Sequence, residues 1–171
     1  MDVKLLYGQH GITVKLPNEA KPTIIRKPDS GILKDQNLIV QDALAAPIGS
    51  GSIEEVSKGA KTACILICDI TRPVPNRVFL KPIIDRLILV GVPLSGITIL
   101  IATGLHRPNV GDELVDLIGD SWVLENVKVE NHDALDKESH VMLGITNGRG
   151  VPVSLDKRFV NSDVKIVTGL V

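Results

Sequence analysis

Apolar positions are gathered into short runs in the second half of the chain, and polar knots follow them. Residues 62–68, TACILIC, form one continuous aliphatic run, and residues 96–103, GITILIAT, form another. Runs of this length without alternation suit strands buried on both faces of a parallel sheet. Between them lies NRVFLKPIIDRLILVG, residues 76–91, with helical apolar spacing. Asn76 is expected to cap this helix, Gly91 to end it and Pro82 to kink it. A second helix is expected over NVGDELVDLIG, residues 109–119, then a third strand in VKVENHD, residues 127–133, and a last one in DVKIVTGLV, residues 163–171. Strand, charged turn, helix and strand in succession predict an α/β fold: a largely parallel sheet with flanking helices, built from Rossmann-like βαβ units.

The first half reads differently. VKLLYG and ITVKLP alternate in period two on either side of Gly8 and Gly11, which predicts an N-terminal β-hairpin with His10 in its turn. Residues 23–31 are expected to be extended. KDQNLIVQDALAAP carries Leu38, Ile39, Ala43, Leu44 and Ala46 at helical spacing, with Pro47, Gly49 and Gly51 as the stop. Ser52 can cap a short helix in GSIEEVSKGA.

Length and composition narrow the classes. A chain of 171 residues is expected to form a single α/β domain, and a core with only two Phe, one Trp and one Tyr must be aliphatic. Nineteen basic residues against twenty acidic ones give a net charge of −1, without the attraction that nonspecific nucleic-acid binding rests on. No apolar run approaches the roughly 18 residues of a membrane span, and no signal-peptide pattern opens the chain. Cys64 and Cys68 fall on one face of one predicted strand and read as buried free thiols. Together these features point to the cytoplasm, with no nucleic acid and no membrane as partner.

Two polar knots end the aliphatic runs, CDITRP at 68–73 and IATGLHRP at 101–108. In an open parallel sheet, ligands bind beyond the carboxyl ends of strands, where both knots would lie. Arg72 offers a planar fork for a carboxylate or phosphate, and Asp69, beside Thr71, could orient a neighbouring base. The plainer alternative is an Asp–Arg pair closing a turn. Thr103 and Gly104 let the chain turn sharply, so that His106 projects with Arg107 beside it. A loop histidine suits general acid/base work, although a solvated histidine without a task fits the same spacing. The coincidence of two knots on one edge favours a site containing Asp69, Thr71, Arg72, Thr103, Gly104, His106 and Arg107. His132 could face that cleft or serve as a helix cap or surface residue, and His140 reads as part of a polar helix. GITNGRG, residues 144–150, reads as a turn. IATG at 101–104 and IVTG at 166–169 are near-identical strand endings. None of the four histidines has metal-ligand spacing, so no metal site is expected.

Taken together, LLYG with VKLP, CDITRPVP, IATGLHRP, ENHD and LGITNGRGVPVSLDKRFVNSDVKIVTG resemble the N-terminal domain of the nickel-dependent lactate racemase family, from about Leu5 onward. The resemblance implies an isomerase that interconverts the enantiomers of a 2-hydroxy acid such as lactate with a nickel-pincer nucleotide. In that chemistry a histidine removes the hydroxyl proton while the C2 hydrogen leaves as hydride to the cofactor. By position, His106 resembles one of the family's acid/base histidines and Arg72 its anion-binding arginine, with Asp69 beside the site. The family's second acid/base histidine, covalent lysine and nickel-ligand histidine match nothing in this chain. The chain is therefore expected to be a C-terminally truncated piece of a two-domain enzyme, inactive alone and prone to self-association. A non-catalytic anion- or nucleotide-binding α/β module is the alternative.

Overall fold

The structure is a computed structural model that describes residues 1–8, 10–25, 31 and 35–170. The chain divides into two compact units, Met1–Leu33 and Lys34–Val171. In the first, β1 (Asp2–Leu5) and β2 (Ile12–Lys15) pair antiparallel, with Val3 opposite Val14. This is the hairpin expected from the alternation, and His10 lies in its turn. The extended reading of residues 23–31 reaches into residues outside the described set.

The second unit opens with α1 (Gln36–Ala45), whose cap Asp35 accepts the Leu38 amide at 2.9 Å. It continues with α2 (Ile53–Val56), begun by a full capping box. The Ser52 hydroxyl accepts the Glu55 amide, and the Glu55 carboxylate accepts the Ser52 amide. Then come β3 (Ala63–Cys68), α3 (Asn76–Leu89), β4 (Ile97–Ala102), α4 (Asp112–Ile118), α5 (Ser121–Asn126) and β5 (Lys128–Asn131). The unit ends with β6 (His140–Ile145), β7 (Pro152–Asp156), α6 (Lys157–Asn161) and β8 (Val164–Val167).

Four strands form the parallel sheet in the order β5-β4-β3-β8. Alternation along the strands separates its two faces. Ala63, Ile65 and Ile67 of β3 and Ile97, Ile99 and Ile101 of β4 are all almost fully buried, in one cluster with Leu80, Ile84 and Leu87 of α3, Ile118 and Val123. That cluster is the aliphatic core the composition demands. On the other face Leu66, Leu100 and Ala102 line a cavity of about 280 Å³ with Leu155 and Phe159. Cys64 is buried on this face, and burial pushes its thiol up to about 11; Cys68 is half-buried.

Three expectations give way to the structure, which also adds a hairpin. Asn76 does not cap α3. It is the first helical residue, buried, and its amide donates to the Leu117 carbonyl at 2.8 Å, tying α3 to the end of α4. The helix expected from Asn109 begins only at Asp112, because Gly111, at φ +58°, turns the chain first. His140 opens a strand rather than sitting in a helix, since the polar DKES segment before it is only a single turn. Residues 146–150 do turn, but they join β6 to β7 in a hairpin that the sequence reading did not contain; it carries an irregularity between Met142 and Gly144.

Candidate functional site

Cys68 pairs with Ala102 at the last rung of the β3–β4 ladder, so the loops after both strands leave the sheet at one edge. Gly104, at φ +57°, takes the left-handed conformation that this turn requires. His106 then reaches back across the edge, and its Nδ1 meets Asp69 Oδ2 in a short contact. The other Asp69 oxygen accepts the Thr71 hydroxyl at 2.6 Å and the Thr71 amide at 3.2 Å. Asp69 is only 6% exposed at its side chain, whereas the His106 imidazole is 56% exposed.

The electrostatics follow from this packing. Burial alone would raise the Asp69 carboxyl, but the hydrogen bonds from Thr71 and His106 outweigh it and hold the group below the ordinary carboxylate range. An ionised carboxylate only accepts, so the proton of a neutral His106 ring belongs on Nδ1. Nε2 is left with its lone pair and makes no hydrogen bond among the described residues. Such an imidazole can take a proton from a bound ligand, and Asp69 then stabilises the imidazolium.

The other expected residues are placed less uniformly. The Arg72 side chain is exposed and makes no hydrogen bond or ion pair among the described residues, while its amide donates to the Asp69 carbonyl at 3.1 Å. Arg107 grips Glu113 with two nitrogens, and that hydrogen-bonded guanidinium brings the Glu113 carboxyl down to about 2. Thr103 is buried, and its hydroxyl donates to the His132 carbonyl at 2.5 Å. The two near-identical strand endings share this device, because the Thr168 hydroxyl donates to the Leu66 carbonyl at 3.1 Å. In each, a threonine stitches a strand end to its neighbour.

A second histidine–carboxylate pair lies beside the first. His132 Nδ1 meets Asp156 Oδ2 at 2.9 Å, and Arg158 clasps the same carboxylate through Nε at 2.9 Å and Nη2 at 2.5 Å. Burial pushes the Asp156 carboxyl up, but the bonds from Arg158 and His132 prevail and hold it far below the usual range. Both histidines line one cavity of about 180 Å³. The His132–Asp156 pair escapes sequence reasoning because its members are 24 residues apart, and Arg158 enters the site only through Asp156. Asn109 and Asn131 are likewise invisible, and they bond reciprocally across 22 residues.

All-parallel order with polar loops gathered at the carboxyl ends defines a Rossmann-like α/β domain whose cleft lies on that edge. The family is settled by comparison: residues 7–171 match the lactate racemase N-terminal domain, and the chain belongs to that family. It is 29% identical to the lactate racemase of Thermoanaerobacterium thermosaccharolyticum over 172 aligned positions, covering 99% of this chain and 40% of that protein. It is 33% identical to the lactate racemase of Lactiplantibacillus plantarum over 132 positions, covering 77% of this chain and 30% of the relative. Its fold matches the lactate racemase apoprotein structure from Thermoanaerobacterium thermosaccharolyticum with a TM-score of 0.78 at 29% identity, over 98% of this chain and 38% of that one. A Thermotoga maritima protein shares the fold at a TM-score of 0.57 and 15% identity, over 80% of this chain and 34% of that one. The chain thus spans about 30–40% of the length of the curated relatives it matches.

Among the described residues no three His, Cys, Asp or Glu side chains converge to hold a metal ion. The two histidines nearest the cleft already spend Nδ1 on carboxylates. The nickel centre that the resemblance implies does not fit these residues as its ligand set. No helix among them is long and apolar enough to cross a membrane.

Proposed function

We propose that this chain supplies the N-terminal part of a racemase that interconverts the enantiomers of lactate or a close 2-hydroxy acid, with His106 handling the hydroxyl proton. The single observation that carries the reading is the His106–Asp69 contact, in which a buried carboxylate holds a half-exposed imidazole at the sheet's carboxyl edge. Asp69 fixes the ring and steadies its charge. Arg72, whose guanidinium is otherwise unengaged, holds the substrate carboxylate by a charge-assisted pair. Thr71 keeps Asp69 oriented, and Thr103 with Gly104 shapes the loop that delivers His106. Arg107 contributes through its grip on Glu113. The nickel-pincer nucleotide belongs to this reading only with metal ligands from beyond the described residues, and no step is routed through it here. The parts of a longer racemase that this chain does not span are the natural partner, and self-association through the edge strand β8, where Val167 is 66% exposed, is the expected behaviour of the isolated chain.

The test is to supply the complete cofactor-loaded enzyme with each lactate enantiomer separately and follow the mixture by chiral analysis. The native enzyme brings either enantiomer to an equal mixture. His106→Ala slows the approach from both sides by about 10²- to 10⁴-fold, the range for loss of a general acid/base. Full rate in the variant would remove His106 from the reaction. A native enzyme that never racemises, but whose anion binding is lost in Arg72→Ala, would instead support a non-catalytic anion-binding module.

A further inference from the structure

Asn109 is 2% exposed and uses its backbone and side chain together to join three loops. Its amide donates to Asn131 Oδ1 at 2.8 Å, and its carbonyl accepts from Asn131 Nδ2 at 3.0 Å, so the β4 loop is doubly bound to the end of β5. Its Oδ1 accepts the Ile70 amide at 3.3 Å, which binds the same loop to the residue after Asp69. Its Nδ2 donates to Glu113 Oε2 at 3.1 Å, on the carboxylate that also holds Arg107. One arm of this bracket therefore ends beside Asp69, and the other begins three residues after His106. No ligand is needed to explain the arrangement, but its consequence falls on the His106–Asp69 distance.

We propose that Asn109 is the positioning residue that sets His106 against Asp69. Buried polar networks specify one geometry when every member is satisfied, and here both side-chain atoms and both backbone groups of Asn109 are engaged. A side chain that merely filled space would support the loop without selecting where the imidazole sits. The inference rests on the reading of His106 as the proton-handling group, but its geometric core stands on this chain alone.

The test uses the 171-residue chain labelled with ¹⁵N at histidine, whose ring nitrogens are read by long-range proton–nitrogen NMR. In the native chain His106 shows a single neutral tautomer with the proton on Nδ1. In Asn109→Ala that signature collapses to an average of both tautomers, while His132, held separately by Asp156, keeps its own pattern. Asn109→Asp retains the acceptor for Ile70 but sets a carboxylate against Glu113, and it too loses the signature. Adding Glu113→Gln returns a donor to that position and restores it. The double variant gives up the Arg107–Glu113 ion pair, so a purely structural role predicts no rescue. A native tautomer pattern in Asn109→Ala, or no recovery in the double variant, overturns the proposal; if Asn109→Ala does not fold, the Asp and Gln pair decides alone. In the complete enzyme, Asn109→Ala lowers kcat about 10²-fold with KM little changed, the scale of misplacing a catalytic group by about 1 Å. An enzyme without racemase activity would sink the racemase reading and leave the tautomer result to stand or fall by itself.

Discussion

His106 meets Asp69, and His132 meets Asp156, at the carboxyl end of the same parallel sheet, yet the two pairs sit in different surroundings. The carboxylates are equally buried, at 6% and 5% side-chain exposure, while the imidazoles differ, at 56% for His106 and 18% for His132. The carboxylates' other partners differ as well. Asp156 is clasped by the Arg158 guanidinium, so its charge is already balanced. Asp69 is held by the hydroxyl and amide of Thr71, and among the described residues no lysine or arginine pairs with it. A proton arriving at His106 therefore meets an unbalanced carboxylate, whereas one arriving at His132 meets a carboxylate already shared with a cation. On the proposed reading, the same two residue types would serve proton transfer in one place and hold the fold in the other.

That contrast can be broken most severely at Asp156. Asp156→Ala leaves the His132 ring without its carboxylate and the Arg158 guanidinium with only Glu130 and the Asn131 carbonyl, a loss near the low end, about 3 kcal/mol, of what breaking a buried charged pair costs. Urea unfolding of the 171-residue chain should show a loss of that size, while Asp69→Ala should cost clearly less because it removes no arginine–carboxylate pair.

A sharper change is Asp69→Asn. The amide can donate to His106 Nδ1, which moves the ring proton to Nε2 and removes the lone pair facing the ligand. The complete enzyme is expected to lose about 10²-fold or more in kcat, since a reversed tautomer disables a correctly placed histidine. Asp156→Asn, tested alongside, should leave kcat nearly unchanged in whatever fraction stays folded.

Arg72→Ala probes the anion side of the site. NMR titration with lactate or phosphate should show roughly ten- to hundredfold weaker binding, because one charge-assisted hydrogen bond contributes roughly 1.5–3 kcal/mol. His106→Ala should change that binding less. Equal weakening in both would mean that Arg72 is not the main anion contact.

The smallest effect lies in the pH dependence of stability. Both Asp69 and Asp156 have folded pKa values below their unfolded ones, so each stabilises the fold fully above the unfolded value of about 3.9. That contribution is lost as pH falls from there through the lowered folded value. Asp156 is shifted further, so Asp156→Ala should flatten the acid limb of the stability curve more than Asp69→Ala does. Equal flattening would erase the distinction between the two pairs.

Much of this architecture is written in local pattern. β3 and β4 follow from TACILIC and GITILIAT because strands buried on both faces need unbroken aliphatic runs, and Ser52 announces α2 because a capping box is a four-residue signal. The β6–β7 hairpin is not legible: most of its residues are exposed, an irregularity interrupts the pairing, and no clean alternation survives. At the site, the meeting of Asp69 with His106 follows from placing two knots at one sheet edge. Whether Arg107 faces a ligand or Glu113 does not follow, since the six-residue separation bridges a glycine turn and matches no helical period. The Asn109–Asn131 and His132–Asp156 pairs join residues 22 and 24 positions apart, and no local window along the chain contains both members of either pair.

The most direct test crosses the two histidines. His106→Ala and His132→Ala are made in the complete enzyme, and each is measured for racemisation rate and for unfolding free energy. The account predicts that His106→Ala loses about 10²- to 10⁴-fold in rate with stability lowered by about 1 kcal/mol, since Asp69 loses one of its hydrogen bonds but keeps those from Thr71. His132→Ala should lose more stability while the folded enzyme keeps most of its rate. The opposite assignment, with rate following His132 and stability following His106, would contradict it.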